Sequence, residues 1–537
     1  MVDVLSVPES QPEVLNKDSV SRIRKLAAID IGTNSTHLLV AAVDTSLGTF
    51  NIEQAEKSTT RLGERDPETG ALTDAAMKRG LETLRRFREL AASHAVEEVV
   101  TAATSAVRES TNRLAFLDRI YIATGIEIDP MDEAEISRIT YLGIQAELER
   151  LGTSTDTVVC EVGGGSTELL LVRNGQVQFS HTYNLGSLRL RKAVETYNAP
   201  IVQSRQLMES QIQRTIDMLH EQMPVGQQRN LVALGGDIRF AASQLIEDWS
   251  IIEGGVISTD ALEEFTNDIL QMSLDNIVRN YELRVTHQEA ETLGPALLTY
   301  LCIAKHLKVS EIHISGINLR DGLLQEMALE EAWSKEFQNQ IIGSVLELGR
   351  QYDFDEGHAQ QVASLASQLF HQLQQQHDLE PRFETFLHVA ALLHEIGLFI
   401  SNRSYHKHTM YLINNSELFG LGKTNLLLTA LIARYHRRAT PQPKHAGYAM
   451  LDRDNRVAVS KLAAILRIAV ALDASRNQSV HTVRCIQKEE TLILSTPDAV
   501  DLSLEQLALQ QSSDLFEDTF GIKIVLSNTM IDPRETL

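Results

Sequence analysis

The chain has 537 residues, 43% of them hydrophobic, and a net charge of −23. This length favours three or four domains with substantial cores. The negative charge argues against general binding to nucleic acid or to anionic membranes. Three scattered cysteines are too few for a disulfide framework or a zinc cluster. No apolar run is long enough to span a membrane, and residues 1–25 lack a signal peptide's apolar core, so we expect a cytoplasmic protein.

The first 330 residues alternate between strand and helix patterns, which is typical of α/β or mixed domains. Strands are predicted at 26–30, 37–43, 50–57, 97–103, 157–162, 167–173, 176–183, 230–234 and 312–315. Helices are predicted at 73–93 with Thr73 or Asp74 as N-cap, from 104 onward, and at 132–150, 203–222 and 259–280. Cys160 falls in a predicted buried strand and is interpreted as a core residue rather than a nucleophile.

After about residue 330 the pattern changes to almost continuous helix, which extends over 335–475 without convincing strands. The tail regains alternation, with strands predicted at 483–486, 491–494 and 522–525 around a helix at 503–511. The whole pattern predicts two α/β lobes, a helical domain and a small α+β domain.

One sequence pattern occurs twice. Residues 29–40 align without a gap with residues 160–171. Each copy has an apolar strand ending in an acid, a turn of small residues, a hydroxyl pair and a second apolar strand. Glycine lets backbone N–H groups approach an anion, and a nest of such groups binds phosphate. A terminal acid suits a metal ion or its bound water. The repeat predicts two lobes that hold a phosphorylated ligand, with two unrelated glycine hairpins as the alternative.

A basic segment interrupts this acidic chain. Between Glu395 and Asp452 the only acid is Glu417. The segment contains the basic residues Arg403, Lys407, Lys423, Arg434, Arg437, Arg438 and Lys444, with His406, His408, His436 and His445. Concentrated positive charge predicts a path for a polyanion, and a solvated helix face with a loop is the alternative.

The two loops and several shorter motifs resemble one family. Asp30–Ser35 and Gly163–Glu168 resemble the phosphate-binding loops of the actin/sugar-kinase superfamily. More narrowly, they resemble those of the exopolyphosphatase / guanosine pentaphosphate phosphohydrolase family. Further family-like pieces follow in order: Arg61-Leu62-Gly63, Thr104–Arg108, Asp132-Glu133-Ala134, Leu185-Gly186-Ser187, Gly235-Gly236 and Leu319–Gly322. The helical region and the tail resemble the family's longer members, so the resemblance spans nearly the whole chain.

This resemblance implies an α/β fold of two actin-like (ribonuclease H-like) lobes, then an all-helical HD-like domain and a small α+β C-terminal domain. The boundaries predicted for these four domains are 22–136, 137–328, 329–478 and 479–537.

The resemblance also implies roles for individual residues. Glu133 matches the family's catalytic base, although Asp132 precedes it where the family usually has Glu. Glu161 and Glu168 match the metal-side acids, and Glu161 is one methylene longer than the usual Asp. We give His37, which replaces the acid in the first repeat, no role. The expected substrate-binding residues, including the phosphate-gripping Arg108, are Asp30, Gly32, Thr33, Asn34, Ser35, Arg108, Gly163, Gly164, Gly165, Ser166, Thr167, Arg437 and Arg438.

The implied activity is Mg²⁺-dependent, processive hydrolysis of the terminal phosphate of inorganic polyphosphate. Removal of the 5′ γ-phosphate of guanosine pentaphosphate is the alternative, and both activities can coexist. The basic segment and the length of the chain favour polyphosphate. The resemblance leaves open the use of another divalent cation in place of Mg²⁺, and of an additional monovalent cation such as K⁺. We expect a homodimer that has no nucleic-acid or membrane partner.

Two other enzyme classes share these loops. A sugar or acetate kinase needs an adenosine pocket, which Gly235-Gly236 fits, and an acid that deprotonates a substrate hydroxyl. A scaffold ATPase of the actin or heat-shock type has no counterpart of the helical half of this chain. We therefore favour the phosphohydrolase.

The helical domain raises a further alternative. His358, His394-Glu395, His436 and Asp473 resemble the His…His-Asp…Asp pattern of metal-dependent HD phosphohydrolases, with Glu in place of the central Asp. Histidine and carboxylate ligands suit a divalent metal. The preferred expectation is that this domain serves substrate passage and dimer contacts, and a second metal site is the alternative.

Overall fold

The structure is a computed structural model. It describes residues 23–46, 48–66, 68–152, 155–196, 201–222, 229–281, 285–329, 335–437, 439–497, 499 and 501–527. Arg438, a predicted substrate-binding residue, lies outside this set. The chain forms two compact units, the first made of Met1–Pro130 with Leu319–Ala332 and the second made of Met131–Asn318 with Trp333–Leu537. The four predicted domain boundaries stay predictions.

Strands and helices alternate through the first 330 residues, and helices dominate afterwards. The strands are β1 Ile23–Ile31, β2 Ser35–Asp44, β3 Thr49–Thr59, β4 Glu98–Ala103, β5 Asp156–Val162, β6 Thr167–Arg173, β7 Gln176–Tyr183, β8 Arg229–Leu234, β9 Gly255–Ser258, β10 Glu311–Ile314, β11 Arg484–Lys488, β12 Thr491–Ser495 and β13 Lys523–Ser527. The helices up to residue 330 are α1 Asp74–Ser93, α2 Ser105–Arg108, α3 Arg113–Thr124, α4 Glu133–Leu151, α5 Ser187–Thr196, α6 Ile201–Gln222, α7 Gly236–Leu245, α8 Thr259–Gln271, α9 Leu274–Asn280, α10 His287–Leu307 and α11 Leu319–Leu329. The later helices are α12 Lys335–Gln351, α13 Glu356–Gln372, α14 Gln374–His377, α15 Arg382–Leu393, α16 Tyr405–Asn414, α17 Lys423–Arg434, α18 Ala446–Ala449, α19 Arg453–Ala471, α20 Ser503–Ser512 and α21 Asp514–Phe520.

A four-stranded sheet forms the centre of the first unit. Its order is β3-β2-β1-β4, in which the first three strands are an antiparallel meander and β4 runs parallel to β1. The apolar side chains of β1, among them Ile29 and Ile31, pack with Phe87 of α1 in a buried core. Thr73 caps α1 by accepting a hydrogen bond of 3.2 Å from the Ala76 N–H, as predicted.

The second unit repeats this arrangement and extends it. Its sheet has the order β7-β6-β5-β8-β10-β9, and β7-β6-β5-β8 again is an antiparallel meander followed by a parallel strand. The buried Tyr300 of α10 joins β5 and β8, because its hydroxyl accepts from the Val162 N–H at 2.8 Å and donates to the Leu234 carbonyl. The two copies of the sequence pattern therefore occupy the same position in two equivalent sheets.

The remainder of the second unit is mostly helical. Helices α12, α13 and α15 to α21 share one apolar core with a small sheet of order β11-β12-β13. The described residues of 335–475 contain no strand, as predicted. Among the described helices none is both long enough and apolar enough to cross a bilayer.

One predicted element is wrong in detail. The predicted helix 259–280 is two helices, because Ser273 has an extended backbone (φ −70°, ψ 156°). Its side chain accepts from the Asn276 N–H at 3.3 Å and starts α9. A serine side chain that hydrogen-bonds a nearby backbone N–H favours the N-cap position over the interior of a helix, so Ser273 interrupts the predicted helix.

Candidate active site

The first glycine turn connects β1 to β2. The Gly32 N–H donates to the Ser35 carbonyl at 3.0 Å, which closes the turn. The carbonyls of Thr33 and Asn34 each accept a hydrogen bond of 2.8 Å from the segment Arg61–Gly63. Residues 61–63 therefore hold the turn in place through backbone hydrogen bonds, which gives a physical reason for this motif.

Asp30 lies at the end of β1, directly opposite His37 on β2. Part of the residue is accessible, but its Oδ1 is buried and has no hydrogen-bond partner among the described residues. Burial raises the pKa of the Asp30 carboxyl to about 6, and the charge of Arg320 opposes that shift. His37, to which no role was assigned, bonds the loop hydroxyl of Ser35 (Nε2 to Oγ, 2.8 Å).

The short helix α2 follows β4 and ends at Arg108. It is tied to the first turn, because the Thr104 N–H donates to the Ile31 carbonyl at 3.1 Å and the hydroxyls of Ser105 and Thr33 lie 3.3 Å apart. These contacts hold the backbone of Arg108, the predicted phosphate-binding arginine, close to the end of β1 where the first turn begins. The Arg108 side chain is half-buried.

The second glycine turn connects β5 to β6 and has the same closure. The Gly163 N–H donates to the Ser166 carbonyl at 2.8 Å. The start of α5 packs on the turn so closely that a Cβ at Gly186 would lie 2.4 Å from the Gly164 carbonyl oxygen. Only glycine fits there, which explains the Leu-Gly-Ser motif. The hydroxyl of Thr167 donates to the Leu185 carbonyl and is therefore engaged in the fold.

Two carboxylates flank the second turn. Glu161 of β5 and Glu168 of β6 are direct cross-strand partners, so their side chains lie on the same face of the sheet. Both line a cavity of about 10 Å³, the size of one water, together with Ser137 and Thr140 of α4. The Ser166 hydroxyl donates to Glu168 Oε1 at 3.0 Å. Like charges directly opposite each other are unfavourable, and a divalent cation shared by both would relieve that repulsion.

Glu133 is the first residue of α4. Its neighbour Asp132 is the N-cap, whose Oδ1 accepts from the Glu135 N–H at 3.0 Å. Asp132 Oδ2 accepts from the Lys423 N–H at 2.9 Å, at the start of α17. A Cβ at Gly422 would lie 2.0 Å from Asp132 Oδ2, so glycine is required for this contact. The shorter acid at 132 therefore fixes the helix end that carries Glu133.

Glu133 faces a cavity of about 220 Å³ within the second unit. Asp132, His181, Glu417 and Lys423 also line this cavity. His181 Nδ1 pairs with a carboxylate oxygen of Glu417, which is the one acid of the basic segment. Glu133, the predicted base, therefore shares this cavity with Lys423 and with the carboxylates of Asp132 and Glu417.

The structure divides the described residues of the basic segment into exposed, half-buried and buried members. The exposed ones are Arg403, Lys407, Lys423, Arg437 and Lys444, and within the described residues none of them forms an ion pair. Arg437 lies over the Tyr405 ring at 4.9 Å. His436 is buried, and its Nδ1 bonds the Ala433 carbonyl. Including His436 in a solvated anion path is therefore wrong, because a buried imidazole cannot line such a path.

Two basic residues, one against the second turn and one beside Glu133, were not assigned to the site from the sequence. Arg189 of α5 donates from Nε to the Gly165 carbonyl at 2.6 Å and so lies against the second turn. The sequence feature that could have indicated this contact is the position of Arg189, two residues after the Gly186-Ser187 motif. Lys423 was grouped with the basic segment, and only the fold shows that it shares a cavity with Glu133. Cys160 is buried in β5, as predicted.

Comparison with known proteins supports this architecture. A model of the Ppx/GppA phosphatase family matches residues 39–331, and a model of domain III of the Ppx/GppA phosphatases matches residues 342–518. The chain belongs to the Ppx/GppA phosphatase family. This membership confirms the predicted resemblance and the predicted enzyme class, a hydrolase of phosphoanhydride bonds.

Similar proteins cover most of the chain. A guanosine-5'-triphosphate,3'-diphosphate pyrophosphatase of Vibrio vulnificus is 28% identical over 84% of this chain and 88% of its own length. The protein of that name from Photobacterium profundum is 25% identical over 94% and 98%. An exopolyphosphatase from Cytophaga hutchinsonii, 21% identical, superposes with a TM-score of 0.52 over 57% of this chain and 98% of its own. The structural likeness confirms the predicted fold of two actin-like lobes followed by a helical region.

The raised pKa of Asp30 predicts that this residue costs stability at neutral pH. The folded chain binds the proton more tightly than the unfolded chain, so stability increases as the pH falls through about 6. Asp30→Asn should raise the free energy of unfolding near pH 7.5 by at most about 3 kcal/mol, and the gain should disappear near pH 4. Denaturant titrations across this pH range measure both values.

The exposed substitution Asp118→Asn is the control, since it removes the same charge from the surface of α3. A wild-type protein more stable than Asp30→Asn at neutral pH would contradict the assignment, as would a difference that does not change with pH.

Proposed function

We propose that this protein removes terminal phosphates from inorganic polyphosphate by hydrolysis. The observation that carries the proposal is the second glycine turn, which is closed by the bond from Gly163 to Ser166 and flanked by the opposed carboxylates Glu161 and Glu168. Phosphoanhydride cleavage requires anion contacts together with charge neutralisation at the transferred group, and little covalent chemistry from the protein. This turn combines residue types that suit both tasks.

The phosphate contacts come from the two turns. In this proposal the backbone N–H groups of Thr33–Ser35 and Gly164–Thr167 hold non-bridging phosphate oxygens, together with the hydroxyl of Ser35. The Gly32 and Gly163 N–H groups close the turns, and the Ser166 hydroxyl is bonded to Glu168. Each turn is held by its own hydrogen bonds before substrate arrives, so little ordering is needed on binding. The Arg108 guanidinium binds a substrate phosphate, for which its planar array of donors is suited.

Phosphatases of this family generally depend on a divalent metal ion, and we propose that Glu161 and Glu168 hold it as Mg²⁺. The two carboxylates fit this ion, because Mg²⁺ prefers oxygen ligands and is commonly held by one or two carboxylates. When bound, the ion neutralises the charge that develops on the transferred phosphate. The Ser166 hydroxyl orients Glu168 through its hydrogen bond to Oε1.

Glu133 is the proposed base. It orients a water molecule for in-line attack on the terminal phosphorus and accepts its proton, while the bond to the bridging oxygen breaks and the shortened chain leaves as an anion. Asp132 acts as a positioning residue, because its two carboxylate oxygens fix the start of α4 and join it to α17.

A long substrate is favoured by the exposed cations of the basic segment. Lys407, Lys423, Arg437 and Lys444 are exposed and form no ion pair within the described part of the chain, so they are available to a polyanion. Arg438 is proposed as a further contact from the sequence alone.

Guanosine pentaphosphate is the second candidate substrate. The observation that favours it is the similarity, over 84% and 94% of this chain, to two proteins named guanosine-5'-triphosphate,3'-diphosphate pyrophosphatase. Both substrates present a terminal phosphoanhydride, so the same turns and the same base would serve either. The homodimer, the cytoplasmic location and a monovalent cation stay predictions.

Replacing the base should separate chemistry from binding. Glu133→Gln keeps the shape and the helix end, and it should lower kcat by about two orders of magnitude or more with little change in KM. Glu149→Gln, an exposed carboxylate on the same helix, is the control and should be silent. Phosphate release under saturating Mg²⁺ measures both variants. Normal turnover of Glu133→Gln would remove Glu133 from the role of base.

The choice of substrate is tested by phosphate release from long polyphosphate, triphosphate and guanosine pentaphosphate side by side. The double variant Arg437→Glu with Arg438→Glu should weaken the binding of long polyphosphate more than that of the other two substrates. The slope of log affinity for long polyphosphate against log salt concentration should become shallower by about one to two units. Triphosphate and guanosine pentaphosphate should be nearly unchanged.

The matched control for this double variant is Arg85→Glu with Arg86→Glu. These two arginines are also exposed and adjacent, and Arg86 lies over the Phe87 ring at 5.6 Å as Arg437 does over Tyr405. Equal, small effects of both double variants on every substrate would contradict a polyanion path through the basic segment. No release from long polyphosphate by the wild type would reject the proposed main substrate in favour of the nucleotide.

A further inference from the structure

The helical part of the second unit contains a buried cluster of potential metal ligands that the proposed hydrolysis does not use. His358, His394 and Glu395 each offer one ligand atom, and these atoms lie within 4.8 Å of one another. Ligand atoms bound about 2.1 Å from a shared ion lie at most about 4.2 Å apart, so only a small adjustment is needed. The cluster therefore has the dimensions of a metal site.

The ring nitrogens of these histidines are arranged as in metal centres. His394 Nδ1 bonds the Ala391 carbonyl at 2.7 Å, and His358 Nδ1 bonds Asp473 Oδ2 at 2.7 Å. A carbonyl can only accept, so Nδ1 of His394 carries the proton and Nε2 keeps its lone pair. Metal-bound histidines almost always use the other nitrogen in this way, which fixes the ring and its tautomer.

His394 Nε2 provides a second, independent indication. His394 is 1% exposed, and its Nε2 has no hydrogen-bond partner among the described residues. A buried polar atom without a partner is costly, and such an atom in a native fold calls for an explanation. A cation bound at Nε2 would supply the missing partner.

The surroundings also suit a cation. His394 and Glu395 follow the carboxyl end of α15, and Asp473 follows that of α19, so the negative ends of two helix dipoles point toward the cluster. Arg476 donates to both Glu395 oxygens at 2.7 Å and to Asp355 at 3.2 Å. Arg476 and Asp355 are exposed, so Glu395 is bonded to a group at the protein surface.

We propose that His358, His394 and Glu395 bind a divalent first-row transition-metal cation of the Zn²⁺ or Mn²⁺ type. Two imidazole nitrogens and one carboxylate oxygen suit such ions and disfavour Mg²⁺, which prefers oxygen ligands alone. Asp473 orients His358 and is not itself a ligand. His436 belongs to the layer around the site, since its Nε2 bonds the Tyr405 hydroxyl at 3.0 Å. This proposal takes up the alternative of a second metal site, and substrate passage and dimer contacts by the helical domain stay predictions.

The test uses the full chain, stripped with a chelator and dialysed against Zn²⁺, Mn²⁺ or Co²⁺ in the presence of excess Mg²⁺. We expect about one tightly held transition-metal ion per chain from elemental analysis, and ligand-field absorption from the Co²⁺ form. His394→Gln should lose this ion. Asp473→Asn should weaken its affinity roughly tenfold to a hundredfold, as is usual for a residue that orients a ligand.

His388→Gln is the matched control, because His388 lies on α15, the helix that His394 directly follows, and bonds Ser367 outside the cluster. Glu395→Gln is a milder second variant in case His394→Gln does not fold, and it should also lose the ion. A wild-type protein that retains no Zn²⁺, Mn²⁺ or Co²⁺ would overturn the proposal and leave Arg476 as the cation that pairs with Glu395 in the described part of the chain. Equal metal content in His394→Gln, Glu395→Gln and His388→Gln would overturn it as well. These readouts do not depend on phosphate release, so the proposed function and this site can fail separately.

Discussion

The pairing of β5 with β6 is the constraint on which the candidate site depends. In this register Glu161 lies opposite Glu168, at the point where the chain turns through three glycines. A shift of one residue would move one carboxylate to the other face of the sheet and separate the pair. Tyr300 helps to hold the register, because its buried hydroxyl joins the end of β5 to that of β8. The core therefore fixes the position of charges that repel each other unless a cation is present.

The duplicated architecture has diverged in its chemistry. Both turns close through the same hydrogen bond, and in both the loop serine bonds the residue two positions later, His37 in one and Glu168 in the other. The strand-end acids face different partners, since Asp30 lies opposite a histidine and Glu161 lies opposite a second acid. The second copy therefore has two opposed carboxylates where the first has one acid of raised pKa. This asymmetry supports the proposal that the second copy binds the cation and that both copies contact phosphate.

Much of this could be predicted from the sequence, because local patterns determine it. Alternating apolar runs located the strands, and the gapless repeat identified two equivalent turns before any fold was known. The break at Ser273 was missed because capping depends on backbone conformation as well as on residue type. The placement of Lys423 beside Glu133 and the contact of Asp132 with α17 join residues about 290 positions apart, and no local pattern encodes such contacts. The cluster of His358, His394 and Glu395 was visible as a sequence motif, but the short distances between its ligand atoms and the lack of a partner for Nε2 of His394 among the described residues are seen only in the fold.

The central claim is that Glu161 and Glu168 hold the divalent ion needed for hydrolysis. The most direct measurement is the Mg²⁺ dependence of phosphate release for the wild type, Glu161→Ala and Glu161→Asp. We expect Glu161→Ala to raise the half-saturating Mg²⁺ concentration by roughly a hundredfold or more, since loss of a ligand should exceed the effect of an outer-shell change. Glu161→Asp keeps the carboxylate and should stay close to the wild type. An unchanged Mg²⁺ dependence in Glu161→Ala would contradict the account.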